Sequence, residues 1–156
     1  MNIVMTMVAA LALAVPAATL TGDKAQVIPA HDLQAQLALL APQAVAKGSS
    51  GSTLAASGNV ALKLSVRTTS GGAEIHAHYD DLMIVEQGSA TLITGGTVVD
   101  AQTGKDGETK GASVKDGKLQ TITVGDVVLV PAGTPHQLLI APGTTYSAMV
   151  AKVKEP

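Results

Sequence analysis

The apolar positions change rhythm along the chain. Residues 3–15 are almost unbrokenly apolar. Across residues 29–47, Leu33, Leu37 and Leu40 recur at helical spacing. That spacing predicts a short amphipathic helix, with Asp32 as its N-cap and Pro42 ending or kinking it. Residues 47–57 are rich in Gly and Ser and predict a loop or linker. Beyond them the period is two. In residues 59–69, Val60, Leu62, Leu64 and Val66 share one face, and Ala61, Lys63, Ser65 and Arg67 share the other. This is the pattern of a half-buried strand. A strand around His76 and His78 follows, then strands over 82–86, 90–94, 97–101, 119–124, 127–130, 136–140 and 146–153. Gly88, Gly95-Gly96, Gly125-Asp126 and Pro142-Gly143 punctuate them. Many short strands without a helical period predict an all-β barrel or sandwich, with the helix laid on its outside.

Residues 104–118 break the pattern. They carry Lys105, Asp106, Glu108, Lys110, Lys115, Asp116 and Lys118 among glycines. The expectation is a solvated hairpin insertion, spanning about 95–118 in all. A flap over the barrel mouth or a dimer contact is the alternative.

Composition narrows the picture. A length of 156 residues predicts one domain, with residues 59–156 as the barrel and 19–58 as an extension holding the helix and linker. Apolar residues are 46% of the chain but aromatics only 1%. Aliphatic side chains must fill the core, which suits a small barrel. The lack of aromatics removes a stacking platform for bases. A net charge of −2 without a Lys/Arg cluster argues against nucleic acid. The absence of cysteine excludes disulfides, thiolate metal ligands and Cys nucleophiles. Residues 1–18 read as an export signal: an apolar run, Pro16, and small residues for cleavage after Ala17 or Ala18. The mature protein is then periplasmic or secreted, with no membrane association. No Lys or Arg precedes the apolar run, and an apolar N-terminal element of the fold is the alternative.

The candidate chemistry lies between Gly71 and Gly88. His76 and His78 are two residues apart, so a regular strand would aim both imidazoles to one side. Neutral imidazole is the commonest protein ligand for transition metals. Asp81 and Asp80 follow, and Glu74 precedes His76 by two residues on the same inward face. The second stretch runs from Gly125 to His136, where a Pro131-Ala132-Gly133 turn delivers His136 to the start of a strand.

Together these stretches resemble the cupin superfamily, in particular small single-domain cupins of the cupin-2 barrel type. The first cupin motif has a Gly, His-x-His, a Glu, and a Gly seven residues on; His76-Ala77-His78, Asp81 and Gly88 match it in order. The second has Gly, five residues, Pro-x-Gly, two residues, His; Gly125, Pro131, Gly133 and His136 match at every spacing. The resemblance spans about residues 60–150. It departs at Asp81, which takes the Glu slot closer to the histidines, and at Ile140, which replaces an Asn.

The resemblance implies a double-stranded β-helix, or jelly-roll barrel. It also implies one divalent metal (Mn, Fe, Zn, Ni or Cu) on His76, His78, His136 and Asp81, with Asp80 or Glu74 as alternative acids. Period two then predicts Met83, Val85, Leu138 and Ile140 lining the cavity, with Tyr79 at its rim. Glu74 is the expected general base if it is not a ligand. The expected function is a metalloenzyme of dioxygenase, isomerase or lyase type acting on a small oxygen-containing molecule. A non-catalytic periplasmic barrel that binds a small ligand or metal is the alternative. The chain's single arginine, Arg67, lies outside both motifs, which leaves them no anchor for a carboxylate or phosphate, so the expected molecule is neutral. Sheet edges that need covering predict a homodimer.

Overall fold

A computed structural model describes residues 25–156. The expected export signal lies outside the described residues. The chain runs α1 (Ala30–Lys47), β1 (Ser49–Ser57), β2 (Val60–Arg67), β3 (Ala73–Ile75), β4 (Tyr79–Gln87), β5 (Ser89–Thr94), β6 (Thr97–Val99) and β7 (Gln102–Thr103). It continues through β8 (Thr109–Gly111), β9 (Ser113–Lys115), β10 (Lys118–Thr123), β11 (Val127–Val130), β12 (His136–Leu139) and β13 (Tyr146–Lys154).

Two antiparallel sheets face each other. One has the order β1-β2-β13-β4-β11 and the other β10-β5-β12-β3-β8-β7. Their facing residues interleave in a core of Met83, Val85, Val130, Tyr146 and Ala148 from the first sheet and Ala90, Leu92 and Ile122 from the second, with Ile140 just beyond β12. β6 and β9 form a separate two-stranded ribbon. Gly88 turns β4 into β5 at φ 71°, and an added Cβ would stand 2.1 Å from the Thr145 carbonyl oxygen. Only glycine fits that turn.

The helix forms where the leucine spacing predicts it, with different ends. Pro29 is the N-cap and offers no side-chain cap, while Asp32 sits inside the first turn. Pro42 lies within the helix, which continues to a left-handed Gly48 whose N–H donates to the Ala44 carbonyl. Leu37, Leu40 and Ala44 pack on Leu54, Leu64 and Val66.

That packing decides the orientation of β2. Its apolar face is turned outward and covered by the helix. Its polar face, with Lys63, Ser65 and Arg67, lines the space between the sheets. The stretch expected as a linker is instead β1, paired with β2 from Ser49↔Arg67 to Ser57↔Val60. Small side chains allow this close pairing: an added Cβ on Gly51 would meet the Leu64 carbonyl oxygen at 2.7 Å.

Within residues 104–118, Lys105, Asp106, Lys110, Lys115, Asp116 and Lys118 are exposed, as a solvated insertion requires. The segment is also anchored: β9 pairs with β6 in the ribbon and β8 joins the second sheet. β8 pairs with β3 through Ala73↔Gly111, Glu74↔Lys110 and Ile75↔Thr109.

Tyr146 is fully buried and its hydroxyl has no hydrogen-bond partner. Burial pushes its pKa up to about 12. An unsatisfied buried hydroxyl costs about 1–3 kcal/mol. Tyr146→Phe is therefore expected to stabilise the fold by about 1 kcal/mol in urea unfolding. Destabilisation would show that the hydroxyl is partnered.

Candidate metal centre

The site is built where β3 and β12 meet. β3 ends at Ile75, and the chain bends at Ala77 and His78 before β4 begins. The His76 carbonyl accepts the Gly133 N–H at 2.8 Å, so the Pro131–Gly133 turn holds the residue at the strand end. His136 opens β12 directly opposite Glu74. Register alone thus sets Glu74 beside His136, and the strand end brings in His76. One donor atom from each of Glu74, His76 and His136 lies within 4.8 Å of the others. Donors around one ion are roughly 3–4 Å apart, so small rotations bring all three to a common metal.

Each imidazole is oriented by a second contact. His136 Nδ1–H donates to the Thr134 carbonyl at 3.0 Å, leaving Nε2 for the site. The Glu108 carboxylate, delivered by the insertion ahead of β8, accepts from His76 Nδ1. His76 Nε2 then faces Asp81 Oδ2 at 3.3 Å and Glu74 Oε2 at 3.8 Å. Hydrogen bonds fixing the far nitrogen are the usual means of setting a ligand's tautomer.

The charges follow from these contacts. The hydrogen bond to Asp81 raises the His76 pKa; burial opposes it and the Glu108 bond adds to it, with a net rise above the ordinary 6.5. Burial lowers that of His136, and the bond to Thr134 only partly offsets it. Asp81 is pushed up by burial, but His76 and Lys152 outweigh that and hold the carboxyl below its usual range. Lys152 Nζ reaches Asp81 Oδ1 at 2.7 Å.

The structure sorts the expected residues. His76 and His136 come together, and Glu74 is the acid that joins them. Asp81 touches His76 but is paired with Lys152. Asp80 is turned away, its Oδ1 accepting the Ala132 N–H at 2.8 Å. His78 is exposed and outside the cluster, in a shallow surface depression with Tyr79, Asp106 and Glu108. The strand on which His76 and His78 would share a face stops at Ile75, so two-residue spacing no longer aligns them. Met83 and Leu138 line the cavity beside the cluster, whereas Val85 and Ile140 lie in the core. Tyr79 lies in the outer depression, with Lys152 Nζ 5.9 Å from its ring centroid.

Three contributors had no sequence signal as site residues. Glu108 sits in a charged insertion. Lys152 lies near the C-terminal end of β13, opposite Asp81 in register. Arg67 belongs to a face that alternation alone leaves unassigned. Arg67 and Lys152 line a cavity of about 440 Å³ with Glu74, His76, Asp81 and His136, and Glu108 approaches His76 from the outer depression.

No protein-family model matches the sequence, and no curated protein matches it. Solved structures do. The chain superposes on an uncharacterised conserved protein with a double-stranded β-helix domain from Klebsiella pneumoniae, with TM-score 0.50, 12% identity, and 68% of this chain and 76% of that one covered. It has the cupin fold. The polyketide cyclase RemF of Streptomyces resistomycificus shares the fold at TM-score 0.51 and 18% identity, with 70% of this chain and 69% of that one covered. KdgF from Halomonas sp. does so at 0.50 and 13%, over 70% of this chain and 82% of that one. These likenesses establish the architecture; the cupin barrel's chemistry has to be argued from its own side chains.

Two outcomes follow from the geometry. Glu108→Gln keeps the shape but removes the charge behind His76. It is expected to weaken zinc binding by about 10–100-fold in competition titrations; unchanged affinity would show that Glu108 orients nothing. Zinc affinity should also fall with falling pH. A metal at Nε2 must displace the proton that His76 shares with Asp81. Because that proton is held above the ordinary 6.5, competition begins nearer neutrality than for an ordinary imidazole. The lowered His136 adds its competition only at lower pH. Titrations at pH 6, 7 and 8 check the sign; affinity rising toward pH 6 would contradict it.

Proposed function

We propose that this cupin binds one divalent transition metal on Glu74, His76 and His136 and acts as a metalloenzyme on a small oxygen-containing molecule. The observation that carries this reading is the convergence of the three donors at an open cavity. Two imidazoles and a carboxylate suit Mn, Fe, Zn, Ni or Cu, and three protein ligands leave coordination positions open. A bound metal would polarise a carbonyl or hydroxyl oxygen, or acidify a water. The chain's own residues supply the rest. Glu108 and Thr134 hold the two imidazoles in orientation. Lys152 keeps Asp81 ionised beside His76. Met83, Leu138 and Val150 shield the site with apolar surface. That neighbours of the same fold include a polyketide cyclase is in keeping with an enzyme of isomerase, lyase or dioxygenase type.

A second reading, a non-catalytic binding barrel, has one observation in its favour. With Glu74 among the metal donors and Asp81 paired to Lys152, no free carboxylate remains among the described residues lining the cavity to act as a general base. Turnover and oxygen consumption by metal-loaded protein, measured against diols, diketones and hydroxy acids, separate the two. Turnover that disappears on chelation supports the enzyme. Ligand binding without turnover across the panel would replace it with the binding barrel.

Export stays part of the proposal, as does pairing of two copies. β11 is a sheet edge, and Val127 and Leu129 on it are exposed, with Leu82 of β4 beside Leu129. Such an apolar edge needs covering. Sedimentation of the wild type against Leu129→Lys tests the pairing: a dimer that dissociates supports it, and a monomeric wild type overturns it.

A further inference from the structure

Arg67, the chain's single arginine, ends β2 on the face that lines the cavity. Its Nε is buried without a hydrogen-bond partner. The ion pairs among the described residues do not include it. Other charges in the cavity are differently placed. Lys152 is matched to Asp81, and Glu74 belongs to the donor cluster. Lys63, on the same wall as Arg67, also has no ion pair among the described residues. The β2 wall therefore carries uncompensated positive charge facing an otherwise partly apolar space. A half-buried guanidinium with an unsatisfied donor is costly unless an anion joins it.

The surroundings are shaped for that anion. Gly71 lies against the guanidinium: an added Cβ would come within 2.9 Å of Arg67 Nη1. Gly71 precedes Glu74 by three residues, a stretch of chain that spans at most about 11 Å. The cationic end and the donor cluster are thus one small molecule apart. Met83, Leu138 and Val150 line the space and suit a short aliphatic chain.

We infer that the cavity takes a small organic carboxylate. Its carboxylate is received by Arg67, in the bidentate geometry that guanidinium favours. Its far end carries an oxygen directed at the Glu74, His76 and His136 cluster. This second half rests on the proposed metal site; the first does not. The expectation of a neutral molecule rested on the motifs themselves lacking an arginine, and β2 brings Arg67 to the wall of the same cavity.

The test is calorimetric titration of zinc-loaded and metal-free protein with succinate and with butane-1,4-diol, a neutral molecule of the same length. Succinate is expected to bind at least about tenfold more tightly than the diol, as a charge-assisted contact requires. Arg67→Gln should lose about tenfold or more in succinate affinity while keeping its zinc affinity. Gly71→Ala provides a second variant, retaining the charge but displacing the guanidinium, and should also weaken succinate. Equal succinate binding by wild type and both variants overturns the assignment. So does a preference for the diol. Failure of zinc to bind the wild type sinks the metal reading alone, because Arg67-dependent succinate binding to the metal-free protein still supports the carboxylate site.

Discussion

His136→Ala is expected to lower zinc affinity by well over about 100-fold while leaving a folded protein. Loss of an orienting contact behind a metal ligand already costs about 10–100-fold, and here an entire donor is removed. Glu74 and His76 alone give a two-point site with no geometric closure. The folding cost is smaller than for an apolar core residue. His136 is buried, but its imidazole faces a cavity on one side and its Nδ1–H is held by a local carbonyl. Competition titration against a chelator measures the loss, and circular dichroism confirms the fold. His78→Ala is the matched control. Its side chain is exposed and outside the cluster, so zinc affinity should stay within about threefold of wild type, the level of context variation in surface substitutions. Equal losses from the two variants would overturn the site.

Leu64→Ala is expected to destabilise the fold by about 2–5 kcal/mol, the usual range for truncating a buried leucine. Leu64 is 2% exposed and packs between the helix and the sheet. Ser65→Ala, one residue on, should change stability by less than about 0.5 kcal/mol, because Ser65 lines the open cavity. Urea unfolding of the pair reads out which face of β2 is the packed one. Similar costs for both would contradict the outward-facing apolar stripe. The effect also bears on the site: if β2 were reversed, Arg67 and Lys63 would leave the cavity.

This strand shows how far the sequence could be read. Alternation in 59–69 identified a two-faced strand correctly, but period two does not say which face meets the cavity. That depends on the helix. Its leucines require a partner, and they take the apolar face of β2 and leave the polar face inward. The helix itself was legible from Leu33, Leu37 and Leu40, while its ends were not. Pro42 does not end it: packing on both sides of the proline, by Leu40 and Ala44, carries the helix through to its Gly48 cap.

At the site, Glu74 was legible as an inward residue because it lies within a regular strand. The placement of His78 was not, because the strand ends before it and the alternation rule lapses. Asp81 does approach His76, but its partner Lys152 is far along the chain and enters only through β4–β13 register. Glu108 was hidden most thoroughly. Its neighbours in sequence read as a solvated hairpin, and only pairing of β8 with β3 carries it to His76. Local pattern reveals strands and turns; which charges meet is decided by register between distant segments.

In the proposed site, Glu74, His76 and His136 together hold one metal ion. Anomalous scattering from crystals of the zinc-loaded protein tests it most directly. A single peak about 2 Å from the three donor atoms, at close to one equivalent by elemental analysis, is the predicted result. A peak at the surface depression beside His78 and Asp106, or zinc far below one equivalent, would contradict it.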